Sequence, residues 1–485
     1  MTIVLRDRND FSLDNYRQVA WEGKALGFSK TALDAIQTSR NAFMEMIDSD
    51  PNLVIYGVTS GYGQNAKLRF TKEQRRAHAK RRPVGPTSAF GEKAPERLVR
   101  GTIYARLANF VEGHAAVRPE LAQAVAALLG GEQPLPTFAI QGQGGAGEIL
   151  ILAPLFLPMA ETMDLEEKEC LALINGSPGA SAVLADVALS CQKRLEVATE
   201  IFALSAEAFL APLEAYDPAL EDLWGSDNEQ NALQQISTLL SGGAEERRAY
   251  QAPVSFRILP RILGAALASL EECKSAAERA LKAVTDNPVF LRPDQDPSGD
   301  LYPNGRALST GGYHNADVGP VLGRLAASYA DLAQLAERQA TKMLDGNCSG
   351  LPDQLKFRAD DDLYLGASPM AAVDFVEEAK LLAAPNLLPG SESGGFGQND
   401  VASVALPAWR KIERSGQCLD ASLAILAFIA SQALFVTNRT APPALRARLD
   451  MIRTHAQPLE RMQATGPLFE ALTAAFGKEI YPSGS

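Results

Sequence analysis

The sequence predicts a mainly α-helical protein in which a long-helix bundle follows a smaller, loop-rich N-terminal domain. From Val318 to Met343, apolar residues recur at steps of three or four, which is typical of one face of a long bundle helix. A second such run extends from Leu263 to Val284, and an alanine-rich third covers Ala421 to Val436. The second half of the chain is therefore expected to be mostly helical.

The first half combines helical stretches, such as Glu120 to Leu129, with glycine-punctuated loops at 56–63 and 141–147, so its strands should be short. Near residue 210 the sequence turns polar. This change predicts a boundary between an N-terminal domain, residues 1–210, and a bundle domain, residues 211–485.

The composition disfavours several classes of partner. A net charge of -12 argues against nucleic acid and anionic membranes and favours a small molecule. The longest apolar stretches, 149–160 and 423–430, are shorter than the roughly 20 residues of a membrane helix and should be buried core. No signal-peptide pattern opens the chain, so we expect a cytoplasmic protein. Scattered cysteines and histidines predict no metal site.

Two glycine-rich segments could carry chemistry. The segment "QGQGGAGEI", residues 141–149, lacks the strand-to-helix context of a phosphate-binding loop. The segment "YGVTSGYG", residues 56–63, can bring the phenol of Tyr56 close to a ligand. A tyrosine can act as a base where positive charge lowers its pKa, although a structural turn is the alternative for this loop.

Three further segments offer polar groups. In "LALINGSPGAS", Asn175 follows an apolar run, where its amide could meet a substrate carboxylate or amine, or simply form a turn. In "SFRILPR", a partly buried Arg257 would require a carboxylate partner. The segments "VTDNPVF" and "STGGYHNADVG" add the loop residues Asp286, Asn287, Tyr313, His314 and Asn315.

In order and spacing, these segments resemble the aromatic amino acid ammonia-lyases and aminomutases, the histidine, phenylalanine and tyrosine lyase family. The resemblance also includes "SGLPDQL", "EEAKLLAAP" and "GQND", and it covers most of the chain. It implies a mainly α-helical homotetramer whose active sites are each built from three chains.

In that family an internal Ala-Ser-Gly tripeptide cyclises and dehydrates to methylidene-imidazolone (MIO), an electrophile that captures the substrate amine. The family pattern Gly-Ser-Val-Gly-Ala-Ser-Gly-Asp-Leu aligns without gaps with residues 141–149, so the triad reads Gly145-Ala146-Gly147. Ala146 has no hydroxyl to lose, which implies a divergent member without the MIO cofactor. A rival triad, residues 180–182, ends in alanine, whereas cyclisation needs the open nitrogen of glycine.

A second departure agrees with the first. The family segment Gln-Asp-x-Tyr-Ser-Leu-Arg aligns with residues 251–257, where Val254 replaces the tyrosine that works beside the electrophile. Tyr250 is an alternative source of that phenol.

Other positions match the family residue by residue. Tyr56 aligns with the base, Asn175 with the asparagine near the amine, and Arg257 with the arginine that grips the carboxylate. Tyr313 stands where the family has a pocket phenylalanine, Gly312 where it has asparagine, and Asn399 where relatives have glutamate or glutamine. The resemblance thus implies two groups: catalytic Tyr56, Asn175 and Tyr313, and substrate-binding Arg257, Gln251, Asn399, Gly145 and Ala146.

The segment "HAKRRPVG", residues 78–85, corresponds to the part of the family that selects the substrate side chain. It offers Lys80, Arg81 and Arg82, which would suit a substrate with an anionic distal group. A solvated basic helix end is the alternative, because the preceding residues are also basic.

Without MIO, the departing proton must already be acidified by a neighbouring carboxylate or carbonyl. The leading hypothesis is a MIO-independent lyase that eliminates from, adds to or cyclises a small amino-acid-like substrate, with Tyr56 as base and cations stabilising enolate-like charge. A catalytically silent relative that binds a ligand or assembles with a true lyase is one alternative. A conventional aromatic amino acid ammonia-lyase is another.

Overall fold

The structure is a computed structural model that describes residues 2–360, 362–391 and 397–481, and their side chains except that of Gln64. It is mainly α-helical, as predicted. The α-helices are α1 Leu13–Tyr16, α2 Lys30–Ser49, α3 Lys72–Ala79, α4 Glu96–Leu107, α5 Pro119–Ala127, α6 Ile149–Thr162, α7 Glu169–Ile174, α8 Pro178–Ala208, α9 Glu221–Trp224, α10 Asp227–Leu240, α11 Val254–Arg257, α12 Leu259–Lys282, α13 Val318–Leu344, α14 Gly346–Ser349, α15 Ala367–Leu382, α16 Ala405–Val436, α17 Arg446–His455 and α18 Gly466–Ile480.

Strands are short in the described part of the chain, as predicted for the first half. The strands β1 (Ile3–Leu5) and β2 (Leu26–Phe28) pair in parallel, with Ile3 opposite Leu26. The strands β3 (Val289–Leu291) and β4 (Arg306–Leu308) form an antiparallel pair. The strand β3 begins inside "VTDNPVF", one of the polar segments singled out above.

The bundle is formed by α8, α12, α13, α15 and α16, which pack side by side. Helix α13 covers the predicted run from Val318 to Met343, and its apolar seam is buried. Helix α12 contains the second run except Val284, because the helix ends at Lys282. Helix α16 begins at Ala405, earlier than the predicted Ala421. The prediction missed its first turns because they are amphipathic and carry fewer alanines.

Both apolar stretches lie in the core. Helix α6 accommodates Pro154 and Pro158, and half of its 14 residues are buried. Two helical segments, Glu169–Ala208 and Ala405–Val436, are nevertheless long and apolar enough to cross a membrane. They contain no long uninterrupted apolar run, so they were not identified from the sequence. Their most apolar windows are 83% and 89% buried inside the protein, as in core helices.

The proposed boundary at residue 210 falls just after α8. The buried face of α8 packs against α12 and α16, so segments on both sides of the boundary share one hydrophobic core. The division into two domains stays a prediction. What matters for the site is that α8 and the loops before it are held by the bundle.

A candidate active site at the ends of helices α6 and α7

A cavity of about 600 Å³ brings together segments that are far apart in the sequence. Six of the predicted site residues line it: Tyr56, Arg81, Ala146, Asn175, Tyr313 and Asn399. Three segments therefore meet around one space: the tyrosine loop (residues 56–63), the degenerate glycine loop (residues 141–149) and the selector segment (residues 78–85). The space is large enough for an amino acid.

The other predicted residues lie outside the cavity wall formed by the described residues. Lys80 is exposed at the end of α3, and Gly145 is half-buried behind Ala146. Gln251 is exposed, and so is Arg257, which corrects the expectation of a partly buried arginine. The apolar neighbours of Arg257 belong to the opposite face of its helix, where Phe256 is buried, and its Nε donates only to the carbonyl of Ala252, at 2.9 Å.

The segment before Arg257 also lies on the surface of the chain. Val254 is 56% exposed and Tyr250 is 59% exposed. The ring of Tyr250 packs against the Arg248 guanidinium, 5.4 Å from the ring centroid, and does not line the cavity described here. Within one chain, Tyr250 therefore does not replace the missing tyrosine.

The tyrosine loop is shaped by close packing. Gly57 has φ of +66°, and a Cβ there would lie 2.4 Å from Leu171, so glycine alone fits. The backbone N–H of Gly63 donates to the phenol oxygen of Tyr56 at 3.1 Å. A donor in this position orients the phenol and stabilises negative charge on its oxygen.

The degenerate glycine loop is held by a side-chain clamp that sequence reasoning missed. The Nε2 of Gln143 donates to the carbonyls of Gly145 and Gly147, each at 3.2 Å, and its Oε1 accepts from the N–H of Leu150 at 3.0 Å. The N–H of Ser403 also donates to Gly145, at 3.2 Å. The loop thus has a defined conformation and presents the methyl group of Ala146 to the cavity.

Glu148 joins this loop to helix α8. Its buried carboxylate accepts from the backbone N–H groups of Gly179 at 2.5 Å and Ala180 at 2.6 Å. Burial raises the pKa of Glu148 to about 7, and these two hydrogen bonds oppose the shift. The rival triad, residues 180–182, lies within α8, and the hydroxyl of Ser181 donates to the carbonyl of Ala280 at 2.9 Å. A helical backbone leaves no loop there for cyclisation.

Asn175 lies at the end of α7 and belongs to a bonded polar wall. Its Nδ2 donates to the carbonyl of Asn287 at 2.6 Å, and its own carbonyl accepts from the fully buried Arg106. The Oδ1 of Asn287 accepts from the N–H of Thr310 at 2.9 Å, in the loop that leads to Tyr313. Asn175, Asn287 and Tyr313, which are distant in the sequence, are thereby positioned together.

Lys168, at the start of α7, was missed by sequence reasoning. It forms an ion pair with Asp286 in which both side chains are 0% exposed. Burial lowers the pKa of Lys168, and the Asp286 carboxylate opposes that shift. No spacing rule pairs two residues separated by 118 positions, although both lie next to segments that had been singled out.

The selector segment forms a cationic rim. Arg81 and Arg82 are exposed and line the cavity; Arg82 donates to the carbonyl of Glu161 at 3.3 Å. His78 also lines the cavity, with its ring 5.1 Å from that of Tyr62. Burial and the charge of Arg81 lower the pKa of His78. Among the described residues no cluster of histidine, cysteine or acidic side chains could hold a metal ion.

Comparison with known proteins shows the family to which the chain is similar. The family model for aromatic amino acid lyases matches residues 11–161 and 159–454. The chain is 29% identical over 447 residues to the histidine ammonia-lyase of Symbiobacterium thermophilum, with 86% of both chains covered. It is 29% identical over 468 residues to that of Streptomyces avermitilis, covering 90% of this chain and 88% of the other.

Solved structures share the fold. Histidine ammonia-lyase from Trypanosoma cruzi superposes with a TM-score of 0.83 at 20% identity, covering 100% of this chain and 96% of the other. Ergothionase from Treponema denticola, in complex with desmethyl-ergothioneine sulfonic acid, has a TM-score of 0.88 at 16% identity and 99% coverage of both chains. The chain therefore belongs to the aromatic amino acid lyase family and is a lyase enzyme.

Proposed function

We propose that this lyase works without MIO on a small amino-acid-like substrate with an anionic or polar distal group, by elimination or by the reverse addition or cyclisation. The observation that carries the proposal is Ala146, which lines the cavity where relatives form their electrophile. Its methyl group cannot lose water to become a methylidene carbon, so the residues present do not fit the cofactor. The Gln143 clamp holds the backbone of this loop in place.

The chemistry then depends on the chain's own side chains. The phenolate of Tyr56 takes a proton from a carbon that an adjacent carboxylate or carbonyl acidifies. The electron pair of that C–H bond forms the double bond, while the C–N bond of the protonated amine breaks and ammonia leaves with the electron pair of that bond. Asn175 donates through Nδ2 to Asn287, which leaves its Oδ1 as an acceptor for the substrate amine.

The cationic rim supports the choice of substrate. Arg81 and Arg82 would lie unpaired against a phenyl ring, whereas a distal carboxylate would pair with them. We therefore expect ammonia release from L-aspartate, whose distal carboxylate acidifies the departing β-proton, to exceed release from L-histidine, L-phenylalanine or L-tyrosine. Faster release from L-histidine would instead support the conventional ammonia-lyase function that the names of the relatives suggest.

The absence of MIO has a direct test. Cyclisation and dehydration remove water, so the intact mass of the purified protein should equal the mass calculated from its sequence. The near-ultraviolet absorbance of MIO, with its loss on borohydride treatment, should be absent. A mass deficit of water together with that absorbance would contradict the proposal.

Tyr56→Phe tests the base. We expect turnover to fall at least about a hundredfold with ligand affinity retained, since general base catalysis contributes on the order of 10² to 10⁴. Tyr302→Phe is the control, since Tyr302 is 39% exposed and does not line the cavity among the described residues, and it should keep full activity. Equal activity of both variants would contradict the assignment and would favour a silent, ligand-binding relative.

The proposal includes a cytoplasmic homotetramer with shared sites, because Arg257 and Gln251 are exposed and free to enter a neighbour's cavity. Exposed apolar side chains, including Leu381 and Leu387 at 78% and 77%, suit a contact surface between chains. Co-expressed Tyr56→Phe and Arg257→Met chains, each inactive alone, should form hybrid tetramers with some intact sites. Failure of the mixture to regain activity, with tetramers present, would argue that each chain is catalytically self-contained.

A further inference from the structure

Helix α7 is fastened at both ends to the same loop. At its start, Lys168 forms the buried ion pair with Asp286; at its end, Asn175 donates to the carbonyl of Asn287 at 2.6 Å. The helix itself has only six residues, Glu169–Ile174. A short helix held at two points has little freedom to rotate or slide along the loop.

The loop is in turn fixed to the rest of the protein. The Oδ1 of Asn109 accepts from the N–H groups of Thr285 at 2.6 Å and Asp286 at 3.0 Å. The Oδ1 of Asp286 accepts from the N–H of Asn287 at 2.8 Å, so the carboxylate that meets Lys168 also orients the next peptide. Any change at the ion pair is therefore transmitted to Asn287 and from there to the amide of Asn175.

We propose that Lys168 is a positioning residue, whose ion pair with Asp286 sets the register between α7 and residues 285–288 and so aims Asn175 at the substrate amine. The inference rests on the proposed function for the role of Asn175. Lys168 belongs to the cavity wall, but its side chain is 0% exposed and its ammonium group is paired with Asp286, so its effect on the substrate passes through Asn175.

Stability alone does not account for this pair. Replacing a buried ion pair by well-packed uncharged side chains is often neutral or stabilising, because desolvation offsets the attraction. Lys168 also has φ of +71°, a left-handed conformation that is strained for a non-glycine residue. Lys168 is strained, and its ion pair with Asp286 adds little net stability. The benefit of the pair therefore lies in the geometry that it imposes.

The test is the double variant K168M/D286N, which removes both charges and keeps an acceptor oxygen at position 286. We expect its unfolding free energy to stay near that of the wild type, while turnover falls at least about tenfold and hydrogen exchange rises across residues 169–176. The matched control is R194M/D420N. It removes another buried ion pair, between α8 and α16, whose residues do not line the cavity among those described, and it should leave turnover and that exchange unchanged.

Wild-type turnover and wild-type exchange in K168M/D286N would overturn the inference. Should the double variant not fold, K168R decides by the same readouts: reduced turnover with raised exchange supports positioning, and unchanged values overturn it. Failure of the proposed function is separate, since it would show as full turnover in Tyr56→Phe and would leave the exchange comparison intact.

Discussion

The cavity has two unlike sides. The wall around α7 consists of buried groups with assigned partners, including Arg106, Asn175 and the Lys168–Asp286 pair. The rim at Arg81 and Arg82 is exposed, and only Arg82 has a side-chain hydrogen bond to another described residue. A preorganised wall suits the amine that every amino-acid substrate shares, whereas an exposed rim can change with the distal group.

Among substitutions that test the difference between the two sides, the largest expected effect comes from a substitution in the wall. Arg106→Met removes the donor to the carbonyls of Ala172, at 3.0 Å, and Asn175. Because the Ala172 carbonyl is buried and the Asn175 carbonyl half-buried, and both lose this donor, we expect the unfolding free energy to fall by about 2 to 4 kcal/mol. Arg81→Met on the rim, measured by the same urea titration, should stay within about 0.5 kcal/mol. Equal stabilities of the two variants would remove the distinction between wall and rim.

A second prediction uses Glu148, which links the glycine loop to α8. Its pKa is raised to about 7 in the folded protein from an ordinary 4.5, so the folded state binds the proton more tightly than the unfolded state. The contribution of Glu148 to stability should therefore be fully present below pH 4.5 and be lost as the pH rises through about 7, which amounts to about 3 kcal/mol.

In Glu148→Gln this particular decline should be absent, although the variant is less stable overall because an amide NH₂ would face the N–H groups of Gly179 and Ala180. The measurement is the unfolding free energy between pH 4.5 and 8 for both proteins. A variant whose curve runs parallel to that of the wild type would show that Glu148 does not titrate in this range.

The wall and the rim also differ in how far sequence reasoning reached. Helical periodicity located α12 and α13, and motif order placed Tyr56 and Asn175 at one cavity. The buried contacts that hold these residues were not predictable, because Lys168 pairs with a residue 118 positions away and no local pattern marks it. Arg257 was misjudged, since apolar neighbours in sequence lay on the other face of its helix.

On the rim, the double variant R81Q/R82Q should fold normally and bind L-aspartate about tenfold more weakly, which corresponds to about 1.4 kcal/mol. Because exposed charges are screened, the difference should shrink at high salt. Lys80→Gln is the matched control, since Lys80 is exposed beside these arginines and does not line the cavity. If calorimetric titrations give the same affinity for both variants, the two rim arginines contact solvent and not the substrate.

The smallest effect is expected at His78. Burial and Arg81 lower the pKa of His78, so the folded state holds that proton less tightly than the unfolded state. Its contribution to stability is therefore present above the ordinary pKa of 6.5 and is lost as the pH falls through it, opposite in sign to that of Glu148.

His78→Phe keeps a ring against Tyr62 and Phe70 and removes this titration. At pH 8 its unfolding free energy should match that of the wild type. At pH 5 the variant should be the more stable of the two, by less than about 1 kcal/mol, because a half-buried rim residue is screened by solvent. A large gain in unfolding free energy at pH 5 would mean that the rim is as inaccessible to water and as constrained as the wall. The rim would then not adapt to different substrate side chains.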